Sequence, residues 1–141
     1  AHSIVSTKVE PDVERGVARV RTWVRNGTAE LARLDVEHEV GVWDSSTVLA
    51  VPVVAAVEVP AGETREVVRE IPLPEAPLWT PEDPTLLWLH TTLTQNGVAA
   101  DDRVVRFGMR DVEWRGGEGG GFFLNGRLYP LRGTNIAFHR L

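Results

Sequence analysis

Between residues 18 and 25 the chain alternates, with Ala18, Val20, Thr22 and Val24 standing against Arg19, Arg21, Trp23 and Arg25. A period of two sends successive side chains to opposite faces, so this stretch predicts a strand with one buried face. Asn26-Gly27 follows. That dipeptide favours positive φ at both central positions of a tight turn, and it predicts a hairpin into the next alternation. There Leu34, Val36, His38 and Val40 oppose Arg33, Asp35, Glu37 and Glu39. His38 thus falls on the apolar face and is expected as a hydrogen-bonded core or edge histidine, since a metal needs more ligands than stand near it. Further strands are predicted over 47–59, 65–71, 86–94 and 103–107, separated by Pro60-Ala61-Gly62, by a proline-rich connection and by Asn96-Gly97. No helical pattern competes with them.

The connection over 72–84 holds five prolines. Prolines fix φ and remove backbone donors, so an irregular surface crossover is expected. Roughly seven short strands at hairpin spacing, with one long crossover, point to two antiparallel sheets packed face to face. The expected fold class is all-β, an immunoglobulin-like antiparallel β-sandwich without a disulfide. A second organisation begins after Phe107. Residues 109–114 can form a strand, Gly116-Gly117-Glu118-Gly119-Gly120-Gly121 is a flexible break, and 122–129 read as a short hairpin about Asn125-Gly126. The final residues carry Ile136, Phe138 and Leu141, whose burial is expected to come from chain beyond this segment.

Composition narrows the chemistry. At 141 residues, 43% hydrophobic and 25% charged, the chain suits one core, and a chain of this size hides roughly two thirds of its unfolded surface without a staple. There is no cysteine, which excludes thiolate nucleophiles, cysteine-held zinc and disulfide frameworks. The net charge is −5 with scattered basic residues, which argues against a nucleic-acid partner. The longest apolar run, 48–57, contains Pro52 and is far shorter than the roughly 20 residues of a membrane-spanning helix. No membrane partner is therefore expected, and no basic leader with an apolar core is visible at the first residues.

Three stretches acquire meaning together. Pro77-Leu78-Trp79-Thr80-Pro81-Glu82-Asp83-Pro84 leads into the strand from Leu86; Phe107-Gly108-Met109-Arg110 follows; Gly121-Phe122-Phe123-Leu124-Asn125-Gly126 then leads into Leu131-Arg132-Gly133-Thr134-Asn135. In this order and at this spacing they resemble the family 2 glycoside hydrolases, the group of β-galactosidases, β-glucuronidases and β-mannosidases, over essentially the whole chain. The resemblance implies a parent in which a jelly-roll sugar-binding domain, an immunoglobulin-like sandwich and a (β/α)8 barrel with the active site follow one another. It divides this chain into a sandwich over 1–108, a connecting strand and hairpin over 109–131, and the first strand of the barrel over 132–141. It implies no cofactor and no metal. The implied partners are the sugar-binding and barrel domains of the parent chain and a carbohydrate substrate for the parent, with a homo-oligomer as a further possibility.

The same resemblance supplies site candidates. Arg132, Gly133, Thr134 and Asn135 are similar to the family's Arg-Gly-x-Asn segment at the end of the first barrel strand, on the face where that fold places its active site. Arg132, Asn135 and His139 are the substrate-adjacent candidates it implies, with a buried structural ion pair as an equal reading of Arg132. Many members carry a His two residues after the Asn; here Ala137 stands there and His139 two further on, which leaves the sugar unassigned. Trp79 is expected to cover the end of the core, with stacking on a sugar ring as the alternative. Gly108 is expected at a bend, and Arg110 is expected to tie that exit to a carboxylate.

A retaining glycosidase needs two carboxyl groups about 5 to 5.5 Å apart. No Asp or Glu follows Glu118, and Glu118 lies in a glycine run that does not hold a carboxylate rigidly. The family takes both carboxyls from later barrel strands, so this segment alone is expected to be inactive. Asp101-Asp102 and Glu82-Asp83 read as turn residues rather than a calcium cage. The serines lack a nucleophile elbow, and the glycine run lacks the Lys-Ser/Thr of a phosphate loop. Asn26-Gly27-Thr28 satisfies a glycosylation sequon but is assigned to the hairpin turn. The alternative reading is an autonomous immunoglobulin-like or fibronectin-like interaction or carbohydrate-binding module, in which 131–141 would pack back on the sandwich as an added strand. Self-association through 122–141 is expected from its apolar side chains.

Overall fold

The computed structural model describes residues 1–130. Among these no helix forms, and the chain runs β1 (His2–Asp12), β2 (Val17–Asn26), β3 (Ala32–Val42), β4 (Val48–Val59), β5 (Thr64–Pro72), β6 (Leu87–Gln95), β7 (Val98–Phe107), β8 (Val112–Arg115), β9 (Gly121–Leu124) and β10 (Arg127–Leu128). Ala1–Arg110 forms one compact unit, and a second begins at Asp111.

The first unit contains two antiparallel sheets, ordered β1-β2-β5 and β4-β3-β6-β7. Hairpins join β1 to β2, β3 to β4 and β6 to β7. The chain changes sheet at 27–31, at 60–63 and through the proline-rich 73–86. This is the expected immunoglobulin-like sandwich, closed without cysteine. Its core follows the alternation. Ala18, Val20 and Val24 of β2, Leu34, Val36 and Val40 of β3, and Leu87, Leu89 and Leu93 of β6 are all at most 2% exposed. Burying each such side chain stabilises the fold by roughly 1.5 to 3 kcal/mol before entropy is charged against it.

Two features depart from the pattern-based expectation. β1 is a full edge strand of eleven residues that the alternation does not announce. A bulge between Ile4 and Ser6 shifts its register on β2, so its inward positions fall out of step and no clean period survives. The second departure is Asn26-Gly27, which closes no hairpin. β2 and β3 lie in different sheets, and neither residue has positive φ. Asn26 instead ends β2 fully buried, and its side chain ties the crossover together. Its Nδ2 donates to the carbonyls of Glu30 (2.7 Å) and Val59 (2.8 Å), while its Oδ1 accepts from the Thr28 backbone N–H and hydroxyl. The amide of the sequon is thus consumed by the fold itself, through a crossover and not through a turn.

The other two Asn-Gly pairs behave as their chemistry dictates. Asn96 and Gly97 (φ 52° and 79°) and Asn125 and Gly126 (φ 54° and 81°) both take the left-handed conformation that a two-residue hairpin with strand-matched twist requires. The second unit is a three-stranded antiparallel sheet ordered β10-β9-β8. Its strand begins at Val112 and not at Met109, which makes only an isolated parallel bridge to Leu78 within the first unit. The glycine run supplies the link between β8 and β9, with Gly117, Gly119 and Gly121 at positive φ. Phe122 packs between Trp114 and Tyr129, at ring-centroid distances of 5.2 and 6.3 Å.

Candidate functional site

The end of the sandwich from which the chain leaves is built around Trp79. The crossover is irregular, with turns at 73–76 and 80–83; between them Leu78 bridges to Met109 and the backbone N–H of Trp79 donates to the Met109 carbonyl at 2.9 Å. Met109 is thereby buried among Val40, Leu73 and Leu87. A Cβ on Gly108 would stand 2.9 Å from the Trp79 Cβ, so only glycine lets the exit strand pass this close. Arg110 does not go to a carboxylate as expected. Its guanidinium carbon lies 4.5 Å from the centroid of the Trp79 ring, a cation–π contact that fixes the ring and the exit strand to each other. Trp79 is half-buried and lies against the exit segment Gly108–Arg110.

On the outer face of the larger sheet, His90 of β6 and Asp102 of β7 join through Nε2 and Oδ2 at 2.9 Å. With Thr92, Ala99 and Ala100 they line a shallow depression. Sequence reasoning gave His90 and Thr92 no role and read Asp101-Asp102 as turn residues; both acids instead lie within β7, the turn falling earlier at Asn96-Gly97, and the outward position of His90 and Thr92 follows from their alternation with buried Leu89, Thr91 and Leu93. Asp101, which also lines the depression, uses its Oδ2 to accept the Ile4 backbone N–H at 2.8 Å and its Oδ1 to accept that of Asp102. These acids act as strand-edge acceptors, and among the described residues no group of three or more metal-ligating side chains comes together.

His38 lies in the core, as its register predicted, at 1% exposure. Its Nε2 pairs with the Thr22 hydroxyl at 3.0 Å, a bond that joins the two sheets. Burial, and next the positive charge of Arg69, push its pKa down to about 4. A neutral imidazole so enclosed is a structural group; it has no route to a substrate. The candidates Arg132, Asn135 and His139 lie outside the described residues. Within those residues, the arrangement offers scaffold and exit geometry in place of reactive geometry.

The comparisons agree with that division. The family model described as glycosyl hydrolases family 2 matches residues 2–110. No curated protein matches the chain. Among solved structures, the β-glucuronidase of Bacteroides uniformis is similar with a TM-score of 0.79 and 28% identity, covering 94% of this chain and 17% of that one. β-Glucuronidase 2 of Bacteroides uniformis, covalently bound to cyclophellitol-6-carboxylate aziridine, is similar with a TM-score of 0.74 and 29% identity, again over 94% and 17%. A family 2 glycosyl hydrolase from Bacteroides cellulosilyticus shares the fold, with a TM-score of 0.78 and 21% identity over 94% of this chain and 18% of that chain. The chain therefore spans less than a fifth of the length of the structures it matches.

Proposed function

Because the chain belongs to the glycosyl hydrolases of family 2, as a noncatalytic β-sandwich domain of that group, we propose that its parent hydrolyses terminal β-glycosidic bonds. The bond is broken through a covalent glycosyl-enzyme intermediate, with two carboxyl groups supplied by a barrel domain. The sandwich, 1–108, holds the sugar-binding domain against that barrel; 109–131 connects, and 132–141 begins the barrel. In this reading Arg132, Asn135 and His139 stand beside the substrate, where a guanidinium and an amide orient sugar hydroxyls through charge-assisted and bidentate hydrogen bonds.

The observation that carries the reading is the match to a β-glucuronidase over 94% of this chain and only 17% of that enzyme. A solved relative held covalently by a cyclophellitol-derived aziridine supports the covalent intermediate. The 28% identity to a β-glucuronidase puts aryl β-glucuronides first among substrates to try, ahead of β-galactosides and β-mannosides.

The product of the longer open reading frame provides the test. It is expected to release sugar with retained anomeric configuration, followed by NMR, and to take up the aziridine on a Glu or Asp outside the present 141 residues. Asn135→Ala is expected to lower kcat/KM by about tenfold or more while the sandwich unfolds at an unchanged midpoint. Inversion of configuration, or an adduct on an acid within this chain, would overturn the proposal.

A further inference from the structure

One layer of the sandwich breaks the apolar rule on several strands at the same level. On the core-facing side, Thr7 of β1 stands opposite Thr22 of β2. In the facing sheet His38 of β3 stands opposite Thr91 of β6, and Thr91 opposite Arg103 of β7. Arg69 of β5 comes in from the other side, opposite buried Val20. The layer separates two apolar clusters: one around Val20, Val40 and Leu89, the other around Val24, Val36 and Leu93. Thr22, His38 and Thr91 are each at most 1% exposed.

One hydrogen bond crosses the layer, between Thr22 Oγ1 and His38 Nε2. Four further atoms in it are buried and have no partner in the protein: Thr7 Oγ1, His38 Nδ1, Thr91 Oγ1 and Arg69 Nη1. Buried polar atoms are nearly always paired, and four left bare would cost as much as a typical domain's entire margin of stability. Valine has the shape of threonine, so packing alone does not call for hydroxyls here. The acid nearest in register, Asp101 opposite Leu93, already accepts the Ile4 N–H. The charged groups that face the layer, Arg69 and Arg103, are both cations.

We propose that this layer is an internal hydration site, in which ordered water between the sheets pairs with Thr7, Thr91, His38 Nδ1 and Arg69. The donor and acceptor inventory selects the ligand. Arg69 only donates, the two hydroxyls donate and accept, and His38 Nδ1 does whichever its tautomer leaves. A metal cation is repelled by the arginines. Water accepts from the guanidinium and donates onward to a hydroxyl or ring nitrogen, and two to four such bonds are what a buried water needs. The layer then works as a hydrogen-bonded key between the sheets: it is satisfied in one relative register and broken when either sheet slips by a residue.

Oxygen-17 magnetic relaxation dispersion on the unaltered 141-residue chain is expected to show long-lived internal water, and a crystal structure is expected to show peaks at hydrogen-bonding distance from Thr91 Oγ1 and His38 Nδ1. Thr7→Val and Thr91→Val are each expected to lower the urea midpoint, and the double variant by less than the sum, because they share solvent. Absence of long-lived water, or a midpoint raised by each valine as deletion of a bare hydroxyl would raise it, overturns the proposal. The relaxation measurement needs no variant, so a valine chain that does not fold leaves the test intact.

Discussion

His38 shows how a single residue sets a condition on the whole sandwich. Folded, its ring is neutral with a pKa of about 4, held down by burial and then by Arg69. Unfolded, it returns to about 6.5. Between those values the unfolded chain binds the extra proton and the folded one does not. Its contribution is therefore complete above about pH 6.5 and is lost as pH falls towards 4, at about 1.4 kcal/mol per pH unit and a few kcal/mol in all. The drop in thermal midpoint between pH 7 and pH 5 is expected to be larger in the natural chain than in His38→Gln; equal drops would remove His38 as its cause. Asn26 sets a different condition. Its four side-chain hydrogen bonds hold a sheet-to-sheet crossover, and Asn26→Ala leaves two carbonyls of that crossover without their donor. It is expected to cost about 2 to 4 kcal/mol in denaturant unfolding. Asn96→Ala, which loses only ease of positive φ in an exposed turn, is expected to cost about 1 kcal/mol. The reverse order would mean that 26–28 acts as a plain turn.

The elements explain why part of the fold was legible. β2, β3 and β6 read clearly because each has one buried and one wet face, and the period of two is the direct record of that environment. β1 did not, because its bulge resets which side chains point inward. The partner of each strand was also hidden. Asn-Gly before a new alternation looks the same whether the chain turns back or crosses over, and only tertiary contacts made Asn26 a buried clamp while Asn96 and Asn125 became turns. Arg110 was misassigned for a similar reason: a guanidinium serves a carboxylate or a ring face equally well, and Trp79 is the neighbour it finds. The same element gives a test of the exit. Gly108→Val drives a branched side chain into Trp79, which the proline-rich segment holds in place, and is expected to lower stability by about 1 to 3 kcal/mol. An unchanged unfolding midpoint would show that Trp79 yields freely.

For the molecule as a whole, the division between scaffold and chemistry is the point at issue. The first unit spends its buried residues on two facing sheets, while its acids Asp35, Glu37 and Glu39 alternate with the buried positions of β3, and Asp101 and Asp102 lie on the edge strand β7. The second keeps large apolar side chains in reach of solvent, with Trp114 at 59% and Leu128 at 58% exposure. Surfaces of that kind seek partners, so the 141-residue chain is expected to self-associate through 122–141, with a sedimentation coefficient that rises with concentration; a strictly monomeric species at high concentration would contradict this. The candidates Arg132, Asn135 and His139 came from resemblance alone, because the pattern of hydrophobic and polar positions records burial and carries no signal for ligand contact.

The most direct measurement sets the purified 141-residue chain beside the product of the longer open reading frame, on p-nitrophenyl β-D-glucuronide, β-D-galactoside and β-D-mannoside. The longer protein is expected to turn over at least one of them, and the shorter chain none. Turnover by the 141 residues alone, or none by the longer protein on any β-glycoside, would contradict a noncatalytic sandwich set within a hydrolase.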